Sequence, residues 1–289
     1  MQIDIAAINT TVHRIASSDS LPAVGMGRQA LALPPPDNAV RIADMLSLIV
    51  NSVPVRRRVL GTGDHVYSAG EPLIHLYVLN AGAVKVVNAA ADGRGQIVSV
   101  NFRGDWLGFD GIAKCRYACS AVALDVGEVW ALRYDELLAA CAACPSLLAA
   151  LHTEMSRSLT RSLDTMLSMR TLSVASRVAT FLRNWAESLS ERGLRCDRIA
   201  LHMTRAEIGE YLGMTLESVS RGLSALARSK VIGFDKRRRR DILILDLPAL
   251  SDFIYVKCDP VRALWRHPDD QIMCRGERAT VGSGSSGGA

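Results

Sequence analysis

The residues whose types and spacing could do chemistry lie between Thr204 and Arg228. Thr204-Arg205-Ala206-Glu207 has the form of a capping box, in which a threonine and a glutamate three residues on satisfy each other's end-turn amides. The helix it opens carries Ile208 and Leu212 on one side, Gly213-Met214 makes a tight turn, and Thr215 caps a second helix, Leu216 to Arg228. On that second helix Val219, Leu223 and Leu226 repeat at i, i+4, i+7 and must face a core. Glu217, Ser220 and Arg221 stand at i, i+3, i+4 on the opposite face, near the N-terminus. A helix that enters the DNA major groove by its N-terminal half presents such residues to base edges. Arginine can bridge guanine O6 and N7, glutamate accepts from cytosine N4, and serine is adaptable. Thr204, Arg205, Thr215 and Arg228 surround them, in reach of phosphates. The same spacing also suits an ordinary helical hairpin whose Glu217 and Arg221 form a surface pair.

The next stretch of the chain favours DNA. Val231–Phe234, a basic turn, and Ile242–Leu245 read as a two-stranded wing beside the second helix. Its turn holds Lys236, Arg237, Arg238, Arg239 and Arg240 in a row, further candidates for phosphate contact. Net charge has the same polarity: residues 1–170 carry 15 basic and 15 acidic side chains, whereas residues 171–289 carry 19 and 14, the whole of the +5. One-sided positive charge is what a phosphate-neutralising surface needs, although a solvated basic loop would look alike.

The elements that must position this unit can be read upstream. Residues 1–38 lack periodicity and end in Leu33-Pro34-Pro35-Pro36, an arm with a stiff spacer, and a short helix is expected over Ala39–Ser47. From about Val55 to Leu132, short apolar runs such as His75–Leu79, Ala83–Val87, Gln96–Phe102 and Glu128–Leu132 are separated by glycines. That pattern predicts an antiparallel sandwich or barrel. Asp135–Cys144 reads as a helix, and Pro145 suits the first turn of a long one to Met169. Leu148, Met155, Ser162 and Met169 in one column, and His152, Leu159 and Met166 in the other, give a heptad seam that predicts a helix paired with its copy. Leu151, Leu163 and Leu167 widen the apolar surface enough for a second contact with the helix's own domain. Another helix runs from Ser173 to about Glu191, with Gly193 as its C-cap. The fold class is therefore α+β: an antiparallel β-roll of jelly-roll type over residues 39–144, a dimerisation helix over 145–170, a winged helix-turn-helix over 171–255, and a flexible tail over 256–289.

This order of parts, from Ser47 to Phe253, resembles the Crp/Fnr family of bacterial transcription regulators. Gly104-Asp105-Trp106-Leu107-Gly108-Phe109-Asp110 is similar to the roll motif of its Fnr branch, and TRAEIGEYLGMTLESVSR, Thr204 to Arg221, to that branch's recognition motif. The resemblance implies that Glu217, Ser220 and Arg221 read DNA. It also implies a palindrome of TTGAT-like half-sites, a homodimer, an activator's role and RNA polymerase as a partner. The competing reading is a redox- or ligand-sensing module of the same fold without productive DNA binding. An enzyme is not expected, because no Gly-rich phosphate loop and no nucleophile–base arrangement is present.

The sensing chemistry departs from the family. Fnr's iron–sulfur cluster needs three closely spaced N-terminal cysteines and one in the roll; residues 1–114 contain none, and Trp130 stands at the roll position. Cyclic-nucleotide members pair Gly-Glu with Arg-Ser; here the stretches read Gly108-Phe109-Asp110 and Tyr117-Ala118-Cys119-Ser120, and an acidic Asp110 without an opposing arginine would repel a phosphate. Neither cofactor is expected. Cys115, Cys119, Cys141 and Cys144 remain as candidates for thiol redox or half a metal site, although Cys141 and Cys144 also suit packing in a helix with Ala139, Ala140, Ala142 and Ala143. His65, His75 and His152 leave a haem open. No metal site and no effector are assigned. Seven cysteines without an export signal or a run of 18 apolar residues point to a reducing cytoplasm and no membrane span.

Overall fold

A computed structural model describes residues 38–89, 95–235 and 241–256. The expected arm and tail, and the basic run Lys236–Arg240, lie outside the described residues.

Helix α1 spans Asn38–Ser52, one turn longer than the apolar pattern suggests, and lays Ile42, Met45, Leu46 and Ile49 on the roll. The roll consists of β1 (Arg56–Leu60), β2 (His65–Tyr67), β3 (His75–Ala81), β4 (Val84–Ala89), β5 (Gly95–Asn101), β6 (Trp106–Leu107), β7 (Ser120–Ala123) and β8 (Gly127–Arg133). They form two four-stranded antiparallel sheets, ordered β1-β8-β3-β6 and β2-β7-β4-β5. Leu60, Leu76, Leu79, Val84 and Leu132 close the core. Strands of two to four residues, such as β2, β6 and β7, are too short for alternation to reveal in sequence.

Helix α2 (Tyr134–Ala143) turns through Cys144 into α3 (Pro145–Thr171), where Pro145 occupies the first turn and sacrifices no hydrogen bond. The start of α3 lies on the roll, burying Leu147 and Leu151. In its later part Leu159, Leu163, Met166 and Leu167 are 56–62% exposed. Helix α4 (Val174–Ser190) is capped by Ser173, whose side chain accepts from the Ser176 amide. Gly193 takes φ 66° just beyond it, and Leu194 N–H closes the turn on Leu189 C=O at 2.9 Å.

The C-terminal unit contains β9 (Arg198–Ala200), α5 (Arg205–Leu212), α6 (Leu216–Arg228), β10 (Ile232–Phe234), β11 (Asp241–Ile244) and α7 (Leu247–Val256). The wing differs from expectation. It is a three-stranded sheet, ordered β10-β11-β9, because Arg198–Leu201 alternates its side chains and supplies the outer ladder for β11. Among the described residues no helix is long and apolar enough to cross a membrane.

Candidate DNA interface

Each local device in the helix-turn-helix is formed by residues three to five apart. Thr204 Oγ1 accepts from Glu207 N–H at 3.2 Å, and Glu207 Oε2 accepts from Thr204 N–H at 2.7 Å, the reciprocal capping box. Helix α5 ends at Gly213, φ 62°, and the Met214 amide returns to Gly209 C=O at 2.9 Å. Gly209 is required by space: a Cβ there would lie 2.5 Å from Met214 O. Thr215 caps α6 by accepting from Ser218 N–H. Val219, Leu223 and Leu226 are buried, and Gly222 lets α6 approach α4 so closely that a Cβ would meet Val178 Cγ2 at 2.8 Å.

That packing turns the opposite face of α6 to solvent. The side chains of Glu217 and Arg221 are 77% and 68% exposed, with 3.6 Å between Oε1 and Nη1. Ser220 is half-buried and accepts from Arg205 Nη1 at 3.1 Å, so Arg205 ties the first helix to the second. Arg205, Thr204, Thr215 and Arg228 are exposed around the same face. Both threonine hydroxyls accept a cap amide, and that of Thr215 also donates to Ser218 Oγ. Arg198 pairs with both Asp235 and Asp241, tying the end of β10 to the start of β11. Sequence reasoning missed Arg198 and Asp241, together with Gly209 and Gly222; the glycines' positions inside a capped helix were the only available signal.

The chain matches two family models over these parts: a Crp-like helix-turn-helix domain over residues 176–253, and a cyclic nucleotide-binding domain over residues 57–144. The transcriptional regulatory protein btr of Bordetella pertussis is 31% identical over 229 residues, 79% of this chain and 90% of that protein. The chain belongs to the Crp/Fnr family. It is thus a DNA-binding transcription regulator of that type. The fumarate and nitrate reduction regulatory protein of Yersinia pestis is 29% identical over 61% of this chain and 71% of its own length. The structure of FixK2 from Bradyrhizobium japonicum superposes with a TM-score of 0.62 at 28% identity, covering 69% of this chain and 97% of that one.

Within this family the roll has its own chemistry. Asp110 Oδ2 accepts the amides of Ala118 and Cys119 at 2.8 and 2.9 Å. Those amides are spent on a carboxylate, and the Cys119 thiol lies beside it. Tyr67 and Tyr117 stack at 4.0 Å between ring centroids, and Tyr117 Oη donates to His75 C=O. Trp130 is buried, donates to Glu128 Oε1 at 2.7 Å and lies under the Arg57 guanidinium.

Of the candidate cysteines, Cys119 and Cys141 are buried. Burial, followed by the nearby Asp110 carboxylate, pushes the Cys119 thiol up to about 11. Burial also raises Cys141, with Cys144 adding to the effect. Both shifts oppose the thiolate that redox exchange and metal binding require. Cys115 and Cys144 are half-buried. His65 and His152 are exposed, and burial followed by Arg133 and Arg56 lowers His75. Among the described residues no three His, Cys, Asp or Glu side chains gather as a metal site.

The seam residues are divided. Leu148, His152, Met155, Leu159, Ser162 and Met166 are exposed along α3. Met169, expected to end the seam, is half-buried, with its Sδ 3.8 Å from where a Gly213 Cβ would lie. It faces its own helix-turn-helix, close to the helix end at Leu172. Ser162 Oγ donates to Ser158 C=O at 2.9 Å, so its hydroxyl is satisfied within the helix.

Proposed function

We propose that this regulator works as a homodimer that reads a TTGAT-like palindrome with Glu217, Ser220 and Arg221, activates transcription through RNA polymerase, and does so in the cytoplasm. The observation that carries the reading is the exposed pair Glu217–Arg221 on the N-terminal half of a helix whose other face is fully committed to the core. The dimer part draws on the exposed leucines and methionines of α3, which water would not favour over a second copy. The dimer forms without an effector, because Ser162 places no charge at the seam. Among the relatives, the Yersinia pestis protein is named for regulation of fumarate and nitrate reduction, but residues 1–114 here hold no cysteine for an iron–sulfur cluster, and Asp110 disfavours a cyclic nucleotide. Sedimentation velocity at micromolar concentration under reducing conditions, with footprinting on a TTGAT-like palindrome, tests the proposal. A monomer, or protection no better than on random DNA, refutes it.

A further inference from the structure

The winged helix is fastened to the chain's own roll at two places far apart in sequence. The first is built on Asp105, which is 3% exposed and held in the roll by accepting the Phe102 amide at 2.8 Å. Its other oxygen accepts from Arg161 of α3 at 2.9 Å and from Arg192, just past α4, at 3.0 Å. Arg192 is itself buried, and its remaining donors reach Arg103 C=O at 2.7 Å and Ser188 C=O at 2.6 Å. One carboxylate therefore joins the roll, the long helix and the end of the helix that carries α6 on its flank. The second fastening is Lys85 of β4, whose Nζ lies 2.6 Å from Glu207 Oε1 on α5. Glu207 is also the capping-box glutamate, so its two oxygens link the roll to the first turn of the helix-turn-helix. Burial alone would raise this carboxyl; hydrogen bonds from Lys85 and Thr204 outweigh it and hold the group below its usual range. Between the two fastenings Phe102 of the roll meets Trp185 of α4 edge-on at 5.0 Å between centroids, and Ala83, Ile97 and Leu124 join the same core.

A single ion pair fixes the distance of the winged helix but not its rotation. Two, separated by an apolar contact, fix its rotation as well as its distance. We propose that Lys85, Asp105, Arg192 and Glu207 are positioning residues that clamp the winged helix on the roll and thereby set which separation of two half-sites the protein accepts. They touch no base; they act through the orientation of α6. The proposal rests on the homodimer reading above, since one recognition helix has no spacing to select.

The test uses full-length protein and a series of palindromic duplexes whose central spacer is shortened or lengthened by one or two base pairs, with a single half-site duplex alongside. Wild type is expected to bind one spacing best and to lose affinity steeply on either side. Lys85→Met leaves the cap intact, because Thr204 N–H bonds the other oxygen of Glu207. It should lower affinity for the best spacing by about tenfold, flatten the spacing profile and leave half-site binding unchanged. Arg192→Gln should do the same more strongly, and Lys85→Met keeps the test open if that variant fails to fold. Lys85→Arg should restore the wild-type profile. A Lys85→Met profile as steep as wild type, or an equal loss on the half-site, overturns the clamp while the dimer reading stands. Wild type that binds palindrome and half-site equally overturns the dimer reading, and the clamp with it.

Discussion

Arg221→Ala isolates base reading from folding, and its size can be worked from the geometry. In the free protein the guanidinium is 68% exposed and meets Glu217 only at 3.6 Å, with a second contact to Ser218 Oγ at 3.3 Å. An exposed i, i+4 pair of this kind contributes about 0.3–0.5 kcal/mol. Releasing it to reach a guanine therefore costs little, and removing it should leave the melting temperature almost unchanged. A bidentate contact to guanine O6 and N7 discriminates by about 1–3 kcal/mol. A dimer on a palindrome uses the residue twice, so the loss should be about 2–6 kcal/mol, roughly 30-fold to over 10⁴-fold in affinity. Anisotropy titrations at one fixed salt concentration would compare the palindrome, versions with the half-site guanine replaced, and random duplex. Wild type should penalise the replacements, and the variant should treat all bases there alike. If the variant weakened palindrome and random DNA equally, or still rejected the replacements, Arg221 would be a phosphate contact and not a reader of guanine.

Glu217→Ala should relax the requirement for a C·G pair while leaving the guanine preference in place, read in the same titrations. Ser162→Asp puts a carboxylate at the seam opposite its twofold mate, a desolvation and repulsion cost of several kcal/mol; sedimentation should show monomer and operator binding should be lost together, whereas an intact dimer would move the seam elsewhere on α3. Gly209→Ala brings a Cβ to 2.5 Å from Met214 O, so thermal melts should show a loss of about 1–3 kcal/mol, and an unchanged melt would mean the turn yields freely. The Cys119 thiol, raised to about 11, should be about one part in a thousand thiolate at pH 8, against roughly a quarter for an ordinary thiol. Its alkylation, followed by mass spectrometry, should be slow there and accelerate about tenfold per pH unit towards 11; rapid labelling at pH 8 would contradict the burial argument.

The sequence by itself determined what short-range geometry decides. The Thr204–Glu207 box, the Gly213 turn, the Thr215 cap and the inward column Val219, Leu223, Leu226 all link residues within about two helical turns, where the chain has few ways to place them. The same holds for Pro145 at the start of α3 and for Ser162 bonding back to Ser158. Only the tertiary structure decided the rest, because its partners are remote. Arg198–Ala200 joins the wing by pairing with β11 some forty residues on, and three residues carry too little alternation to announce a strand. Met169 continues the heptad in sequence yet lies against its own Gly213, a neighbour remote in the chain. Asp105 meets Arg192 across 87 residues and Lys85 meets Glu207 across 122. A charge in a sequence names no partner; the roll and the winged helix had to pack through Phe102 and Trp185 before these four side chains could find each other.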